Sequence, residues 1–331
     1  MEILDKEIKT FFLKENSELP LVIESIDPQQ NLIEYGLENK SFIEETIHKY
    51  GGILFRNFKV NSAENFNDFL TAMFPELIEY KERSSPRQQV NNSKVYTSTE
   101  YPADQYIYLH NENSYANVWP LKICFFCDVE PKVGGETPIA NTRNVYNRIS
   151  RTTREKFEEK GVMYVRNLTE RLGLSWKSVF QTDNKEIVEE YCKNAGYEYE
   201  WKENKLQTKR VGPAVVFHPY TKEPIWFNHA VFFHYTTLPK LVQDTLLMQM
   251  KEEDFPNNTY YGTGEKIENE VLEEIRNAYA AETVTFKWKK GDVLLLDNML
   301  TAHARSPFKG ERRILVSMAE PYSIKNINEV K

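Results

Sequence analysis

The sequence has few cysteines and lacks a long apolar run. Its 331 residues include three cysteines, an odd number that cannot form a fully paired set of disulfides, so we expect a reducing environment. No stretch approaches the roughly 18 apolar residues that a membrane-spanning helix needs. The first residues alternate charged and apolar side chains and lack the apolar core of a secretion signal. These absences predict a cytoplasmic protein without a membrane partner.

An excess of positive charge is missing as well. The chain has 42 Lys and Arg against 49 Asp and Glu, which gives a formal net charge of -7 and a pI near 5.6. Binding of nucleic acid or of an anionic membrane usually needs a basic patch, so we expect small molecules as partners. A local basic group formed by Lys81, Arg83 and Arg87 could dock an acidic carrier protein, or it could form a solvated loop.

Repeats, low-complexity tracts and linkers are also absent from the sequence. This absence predicts a single domain over residues 1–331, and helical patterns predict a helical insertion around 150–205. Aromatic residues make up 13% of the chain, and short runs rich in Val, Ile, Phe and Tyr are bounded by turn residues, as in β-rich enzymes. We therefore expect a mainly β fold with α decoration.

Three helices are predicted in the first part of the chain. Residues 1–20 show a helix-like pattern rich in Lys and Glu. A helix at 42–50 is expected to end at the Gly-Gly pair that follows it, and one at 62–74 is expected to begin with Ser62 as its N-cap.

A candidate metal site lies in the segment from Tyr106 to Ser114, which is predicted to be a strand. Side chains at i and i+2 of a strand point to the same face, so His110 and Glu112 could bind the same ion. One further histidine would complete a facial triad of two His and one carboxylate, the ligand set of non-haem Fe(II) oxygenases. Chance alone yields about one such pair in a chain of this composition, so the spacing needs support from elsewhere.

Cys124 and Cys127 form a second candidate metal pair, in the predicted strand 121–127. A separation of three places them on opposite faces of a strand. We therefore expect both thiols to pack in the core rather than to bind a metal.

Five segments of the chain occur in a recognisable order and spacing. They are YGGILFRNF at 50–58, LHNENSY at 109–115, VGGETP at 133–138, HPYTKEPIWFN at 218–228, and GDVLLLDNMLTAHARSPFKGERRILVSM at 291–318. In these segments the chain resembles the taurine dioxygenase and clavaminate synthase-like family of Fe(II)/2-oxoglutarate dioxygenases, and the resemblance extends from Tyr50 to Pro321. It implies a double-stranded β-helix, or jelly roll, with iron at one mouth of the barrel.

The resemblance also implies a ligand set. It assigns the iron histidines to His110 and His303 and the iron carboxylate to Glu112. It assigns the arginine that binds the remote carboxylate of 2-oxoglutarate to Arg313, assisted by Thr137. The chemistry agrees, because three protein ligands leave three iron positions for bidentate 2-oxoglutarate and O2, and a guanidinium matches a carboxylate.

Arg312 is the competing candidate for the cosubstrate arginine. Successive side chains of a strand point to opposite faces, so only one of Arg312 and Arg313 can face the pocket.

Two departures from the family pattern limit the substrate. Glu112 stands where the taurine-type pattern has aspartate, as in the clavaminate synthase branch, and an occupied carboxylate position argues against chlorination. Ser317 stands where taurine dioxygenase has a second arginine for the sulfonate, so taurine is a poor candidate substrate.

Two segments, FNH at 227–229 and AHARSPF at 302–308, resemble a subgroup found beside nonribosomal peptide synthetases. Members of that subgroup oxidise amino acids, either free or tethered to a carrier protein. The residues expected to line the substrate pocket are Asn228, His229, Arg143 and Ser317.

The resemblance implies hydroxylation of an unactivated C–H bond of an amino-acid-like substrate, in secondary metabolite or antibiotic biosynthesis. Fe(II), the cosubstrate 2-oxoglutarate and O2 would be required. Desaturation or epoxidation by the same cofactors is an alternative. A zinc-dependent hydrolase and a metal-stabilised binding module are alternatives of other classes, but neither needs an arginine and a threonine that bind 2-oxoglutarate.

Overall fold

The computed structural model describes residues 7–15, 17–79, 87–90, 93–98 and 101–328. Lys81 and Arg83 of the local basic group lie outside the described residues.

Strands predominate in these ranges. In chain order they are β1 (Ile8–Lys14), β2 (Ser17–Ser25), β3 (Gly52–Arg56), β4 (Tyr96–Thr97), β5 (Ile107–His110), β6 (Val118–Val129), β7 (Val133–Gly134), β8 (Ile139–Asn141), β9 (Val162–Leu168), β10 (Glu198–Lys202), β11 (Lys205–Gly212), β12 (Val215–Phe217), β13 (Pro224–Trp226), β14 (Asn257–Tyr261), β15 (Thr283–Val284), β16 (Val293–Asp297), β17 (Thr301–Arg305), β18 (Phe308–Lys309) and β19 (Arg313–Ser323).

Helices cover the outside of the strands and connect them. They are α1 (Leu32–Glu38), α2 (Lys40–Tyr50), α3 (Ala63–Met73), α4 (Thr142–Arg148), α5 (Arg151–Lys160), α6 (Trp176–Phe180), α7 (Lys185–Asn194), α8 (Lys240–Gln249), α9 (Asn269–Glu282) and α10 (Ile324–Asn328), with short 3₁₀ turns at Tyr235–Thr237 and Glu252–Asp254. None of the described helices is long and apolar enough to cross a membrane. The fold is mainly β with helices, as the sequence predicts.

Two sheets position the candidate site. The larger has seven strands in the order β1-β2-β3-β16-β6-β19-β4, and the smaller has four strands in the order β15-β8-β17-β5. All described pairs are antiparallel except β2 with β3. In the smaller sheet, His110 of β5 lies directly opposite His303 of β17.

The central strand β6 is buried on both faces. Cys124 packs in a cluster with residues of α2 and α3, such as Ile43 and Phe66. Cys127 packs on the opposite face with Ile139 and other residues between the sheets. The prediction that the two thiols point to opposite faces is confirmed.

Of the early helices, two are confirmed. Helix α2 ends at Gly51, which has φ +85° in the left-handed region, and its amide donates to the carbonyl of Ile47. Helix α3 begins after Ser62, whose hydroxyl accepts from the amide of Asn65 at 3.2 Å.

The helix predicted over residues 1–20 is wrong where the structure describes it. Residues 8–14 and 17–25 form the antiparallel hairpin β1-β2. The apolar and β-branched run at 10–13 extends along the sheet, where Phe12 packs edge-on against Tyr50 with ring centroids 5.1 Å apart.

The segment 150–205 is not purely helical. It includes α5, α6 and α7, but also β9 and β10, which join β11 and β14 in a sheet of order β10-β11-β9-β14. The β10 sequence EYEWK alternates in burial, as a half-buried strand should. The insertion is therefore mixed, and its sheet takes strands from later in the chain.

Candidate metal centre

Strand pairing brings the two predicted histidine ligands together. Because His110 and His303 are opposite each other in an antiparallel pair, their rings lie on one face, with centroids 4.4 Å apart. Phe232 stacks on His110 with a centroid distance of 4.4 Å, and Phe125 lies 5.1 Å from His303. The aromatic neighbours limit the movement of both imidazoles.

Glu112 is held by a turn and not by a strand. Strand β5 ends at His110, and the turn that follows has Asn113 at φ +58°. The side chain of Asn298 then fixes the backbone of Glu112: its Oδ1 accepts from the Glu112 amide at 2.7 Å, and its Nδ2 donates to the Glu112 carbonyl at 2.9 Å. The expectation of a continuous strand at 106–114 is therefore wrong, although the two side chains do meet.

The three side chains form one cluster. His110, Glu112 and His303 each offer a ligand atom, and these atoms all lie within 4.8 Å of one another. Glu112 is 1% exposed and His303 is 5% exposed. The Nε2 atom of His303 lies 3.9 Å from Oε2 of Glu112. The triad predicted from the sequence is brought together, at a separation that one metal ion can bridge.

Hydrogen bonding sets the tautomer of His110. Its Nδ1 lies 2.8 Å from the carbonyl of Tyr108, and a carbonyl only accepts, so Nδ1 carries the proton and Nε2 keeps a lone pair for a metal. Burial lowers the pKa of His110, and it lowers the pKa of His303 well below its usual value. Neutral imidazoles are the form that binds metal. Two imidazoles and one carboxylate fit Fe(II).

A pocket that is partly open to solvent adjoins the triad. It is lined by Arg87, Ser98, Ile107, His110, Phe125, Thr137, His303, Ala304, Arg305, Arg312 and Val316. Thr137 lies where the sequence argument requires, and its Oγ1 accepts a hydrogen bond from Trp288 Nε1 at 3.1 Å. Its role towards 2-oxoglutarate stays a prediction.

The choice of Arg313 as the pocket arginine is wrong. Its side chain is 48% exposed and pairs with Asp128 at 2.9 Å. Arg312 faces the pocket instead, with Nε donating to the carbonyl of Gly135 at 2.8 Å and Nη1 donating to Ser98 Oγ at 3.1 Å. Burial, with help from Arg305, lowers the pKa of Arg312 to about 10, which leaves it charged at neutral pH.

The same one-residue shift moves Ser317 out of the pocket. It lies on the other face of β19, where its hydroxyl donates to the carbonyl of Lys94 at 2.8 Å. Counting the same four residues from Arg312 leads to Val316, which does line the pocket. An apolar side chain, Val316, therefore lines the pocket where the sequence predicted Ser317.

Two other substrate candidates serve the scaffold. Asn228 donates to the carbonyl of Ala214 at 2.8 Å and accepts from the amide of Ala230 at 2.9 Å, which satisfies both ends of its amide group. Arg143 donates to the carbonyl of Lys49 at 2.7 Å and pairs with Glu223 at 2.9 Å. Neither residue lines the pocket.

His229 lies behind the triad. Its ring is 5.8 Å from that of His110, and its Nδ1 is 2.5 Å from the hydroxyl of Ser114. Burial lowers its pKa well below the usual value, so it is neutral. The residue packs against the ligand His110 and is not among the pocket-lining residues.

Two arginines of the pocket were not identified from the sequence. Arg87, assigned above to a basic surface group, is buried, and its Nη2 donates to Oε2 of Glu112 at 2.7 Å. Arg305 donates to the carbonyls of Tyr101 at 2.9 Å and Pro102 at 2.6 Å. Position on β17, two residues after His303, could have indicated Arg305, but nothing in the sequence around Arg87 points to the metal centre.

The chain matches a known family over most of its length. The model of the taurine catabolism dioxygenase TauD, TfdA family matches residues 26–319. Dapdiamide synthesis protein DdaC of Enterobacter agglomerans is 38% identical over 280 residues, which are 84% of this chain and 85% of that protein. A clavaminate synthase-like protein of Arabidopsis thaliana is 32% identical over 313 residues, 91% of this chain and 88% of that protein.

Solved structures show the same fold at lower identity. The PvcB protein of Pseudomonas aeruginosa superimposes with a TM-score of 0.57 at 14% identity, covering 96% of this chain and 92% of that chain. A taurine dioxygenase from Burkholderia xenovorans gives a TM-score of 0.53 at 16% identity, with coverage of 96% and 92%. With the family match and the two sequence relatives, the chain belongs to the TauD/TfdA family and is an Fe(II)/2-oxoglutarate-dependent dioxygenase.

Proposed function

We propose that this dioxygenase hydroxylates an unactivated C–H bond of a small amino-acid-like molecule in secondary metabolite biosynthesis. The observation that carries the proposal is one pocket lined by His110, His303 and Arg312, with the ligand atom of Glu112 within 4.8 Å of those of both histidines. DdaC is by its name a dapdiamide synthesis protein, and PvcB is described as an Fe, alpha-ketoglutarate dependent oxygenase from an isonitrile synthetic pathway. These relatives support a biosynthetic role, and the three free cysteines suit the reducing cytoplasm in which we place it.

The triad residues would hold the metal, and bound Fe(II) supplies the redox chemistry that couples O2 to oxidation of 2-oxoglutarate and substrate. The chain's own contribution is to bind and to orient. His110 presents Nε2 because Tyr108 accepts from its Nδ1. Phe125 and Val316 line the same pocket and make part of its wall apolar.

Arg312 and Thr137 would bind the remote carboxylate of 2-oxoglutarate. The carbonyl of Gly135 and the hydroxyl of Ser98 fix the guanidinium plane of Arg312. Because Thr137 Oγ1 already accepts from Trp288, its own proton is available for a carboxylate. A hydroxyl and a guanidinium in one pocket form the two-part carboxylate site that the resemblance implies, with Arg312 in place of Arg313.

We infer further that the two large sheets are the two faces of a double-stranded β-helix. Phe125 and Val316 reach the pocket from the seven-stranded sheet, while His110 and His303 reach it from the four-stranded sheet. A pocket lined from two facing, mainly antiparallel sheets is the usual ligand site of a jelly roll.

The charges of the pocket favour a substrate with a free carboxylate. Arg305 and Arg312 line it, and no acidic side chain is among its described lining residues, whereas the charge of the third lining arginine, Arg87, is offset by Glu112. The cosubstrate brings two carboxylates, and the carboxylate of a free amino acid would offset further positive charge. An aminoacyl group on a carrier protein has lost that carboxylate to its thioester, so we favour a free amino-acid-like substrate. Arg87 is buried and does not contribute to a carrier-docking patch.

The alternatives to hydroxylation can be distinguished from it by their products or by their use of the pocket. Desaturation and epoxidation use the same ligands and cosubstrate, so only the product distinguishes them. A zinc hydrolase or a metal-stabilised binding module gives no function to Arg312 and Thr137 in the pocket.

The test begins with metal-free protein in the absence of O2. Addition of Fe(II) and then 2-oxoglutarate should give the visible charge-transfer band of the chelate, and His110→Ala should abolish it. With O2, free amino acids and their derivatives are then screened for succinate formed in step with a product heavier by one oxygen atom. No band, with zinc bound more tightly than iron, would refute the proposal, and a product two hydrogens lighter would replace hydroxylation by desaturation.

A further inference from the structure

The structure assigns Arg87 as the positioning residue of the carboxylate ligand Glu112. We infer that Arg87 fixes the direction of this carboxylate in the metal-free protein, so that the triad is assembled before metal binds. The inference rests on the proposed metal site and extends it to a residue that contacts a ligand and not the metal.

The contact between the two side chains is short, charged and enclosed. Arg87 Nη2 lies 2.7 Å from Oε2 of Glu112, and the side chains are 4% and 1% exposed. The same oxygen lies 3.9 Å from His303 Nε2, so it is the oxygen that faces the triad. A carboxylate oxygen has two lone pairs and can accept from Arg87 while it offers the other to a metal. Arg87 therefore holds Oε2 in the direction of the other two ligands.

Glutamate needs such a partner more than aspartate does. Its side chain has one more rotatable bond, and ordering a side chain costs conformational entropy. In addition, Glu112 lies in a turn after the end of β5 and is not supported by a strand. Asn298 fixes the backbone of Glu112 through hydrogen bonds to its amide and carbonyl, but the carboxylate itself is directed by Arg87. Partners that orient metal-ligating groups typically contribute 10- to 100-fold to metal affinity.

A positioning role and a purely electrostatic effect predict opposite results. A guanidinium near a cation repels it, so removal of the charge alone would strengthen metal binding. Removal of an orienting contact would instead leave a flexible carboxylate and weaken metal binding. The sign of the change in affinity therefore separates the two roles.

The experiment is titration of the metal-free, full-length protein with Co(II), followed by visible absorption and calorimetry without 2-oxoglutarate. Arg87→Met should bind Co(II) about 10- to 100-fold more weakly than the unmodified protein. Arg87→Lys, which keeps a charge but loses the planar fork, should show a smaller loss. The matched control is Arg312→Met, which removes another pocket arginine and should bind Co(II) at least as tightly as the unmodified protein.

A double-mutant cycle tests whether Arg87 acts through Glu112. In a Glu112→Ala background, Arg87→Met should cause no further loss of Co(II) affinity. A further tenfold loss there, or unchanged or tighter binding in both single Arg87 variants, would overturn the inference. Circular dichroism reports whether each variant folds, and if Arg87→Met does not fold, Arg87→Lys decides.

The result also separates this inference from the proposed function. If the unmodified protein binds no Co(II) at the triad, the proposed metal site fails and the inference fails with it. If the unmodified protein binds Co(II) and the Arg87 variants bind it equally well, the metal site stands and only the role of Arg87 is rejected.

Discussion

At the scale of single residues, two neighbouring arginines have different environments. Arg312 points into the pocket and is held by Gly135 and Ser98, whereas Arg313 points to the surface and pairs with Asp128. The two side chains have the same chemistry and are adjacent in the chain. They therefore form a natural pair of variant and control.

We predict that Arg312→Gln weakens 2-oxoglutarate binding to the Mn(II)-loaded protein by about 10- to 100-fold, because charge-assisted hydrogen bonds contribute roughly 1.5–3 kcal/mol. The metal affinity should not fall, since Arg312 does not contact the triad carboxylate. Arg313→Gln should change cosubstrate affinity less than about twofold, because exposed ion pairs contribute little. Calorimetry with 2-oxoglutarate measures the cosubstrate affinity of both variants. A larger loss of affinity in Arg313→Gln than in Arg312→Gln would contradict the assignment of Arg312 as the cosubstrate arginine.

At the scale of elements, β19 shows why the sequence could not choose between these arginines. Residues 314–319 of the strand are buried on both faces, so no alternation of apolar and polar side chains marks the inward face. A bulge between Arg313 and Ile314 also interrupts the pairing with β6. The sequence could predict that one arginine faces inward, but the register that decides which one depends on tertiary pairing.

The sequence identifies Glu112 as the carboxylate ligand, but strand alternation alone does not explain its position. Alternation along a strand was expected to bring His110 and Glu112 together, but the strand ends at His110. The alignment comes from Asn298, which is distant in sequence and hydrogen-bonds with both the amide and the carbonyl of Glu112. A contact of that kind leaves no local signal in the sequence.

We predict that Asn298→Ala destabilises the fold and the metal centre together. Three hydrogen bonds would be lost, to the amide and carbonyl of Glu112 and to the carbonyl of Pro120. Each buried group left without a partner costs about 1–3 kcal/mol, so a loss of at least about 2 kcal/mol in the free energy of unfolding is expected. Urea unfolding and Co(II) titration check the two effects, and unchanged Co(II) affinity would show that the backbone contact does not position the ligand.

A second element-scale prediction concerns the end of α2. A Cβ on Gly51 would lie 2.5 Å from Oγ1 of Thr301, and its φ is +85°. Gly51→Ala should therefore lower the free energy of unfolding by about 1–2 kcal/mol, because alanine is strained in the left-handed region. The clash with Thr301 should lower it further. Gly196→Ala is the matched control, because its φ is +69° with no atom within 4 Å of the added Cβ. Thermal unfolding should show a clearly larger decrease for Gly51, and equal decreases would mean that the clash is absorbed.

At the scale of the whole molecule, the mainly β class of the fold was predictable from the sequence, whereas the hairpin β1-β2 and one four-stranded sheet were not. The five family segments and the helices α2 and α3 follow from local patterns that the structure reproduces. The sheet β10-β11-β9-β14 combines strands from inside and outside the insertion. Long charged stretches around these strands gave a helical pattern, and the pairing that makes them strands is non-local.

We predict that buried histidines make the metal-free protein sensitive to mild acid. Burial, with Arg276 nearby, lowers the pKa of His234 to about 4, although Glu252 opposes the shift. Unfolded histidine takes up its proton near pH 6.5 while the folded one does not, so stability falls as pH decreases from about 6.5 towards 4, by about 1.4 kcal/mol per pH unit for this residue.

The check is His234→Gln, compared with the unmodified protein by urea unfolding at pH 7.5 and pH 5.0. The stability difference between the two pH values should shrink by on the order of 2 kcal/mol, even if the variant is less stable at both. A difference of the same size in both proteins would show that His234 titrates normally when folded.

The burial of all three cysteines has a practical consequence. Cys124, Cys127 and Cys192 are free thiols in the core, and burial raises the pKa of Cys127 to about 12. The thiolate is the reactive form, so the folded protein offers no native thiol to maleimide or nitroxide reagents. A single cysteine introduced on the surface would thus be labelled alone in the natural background. With paramagnetic Mn(II) at the triad, such labels would allow distances from the metal centre to be measured by electron spin resonance.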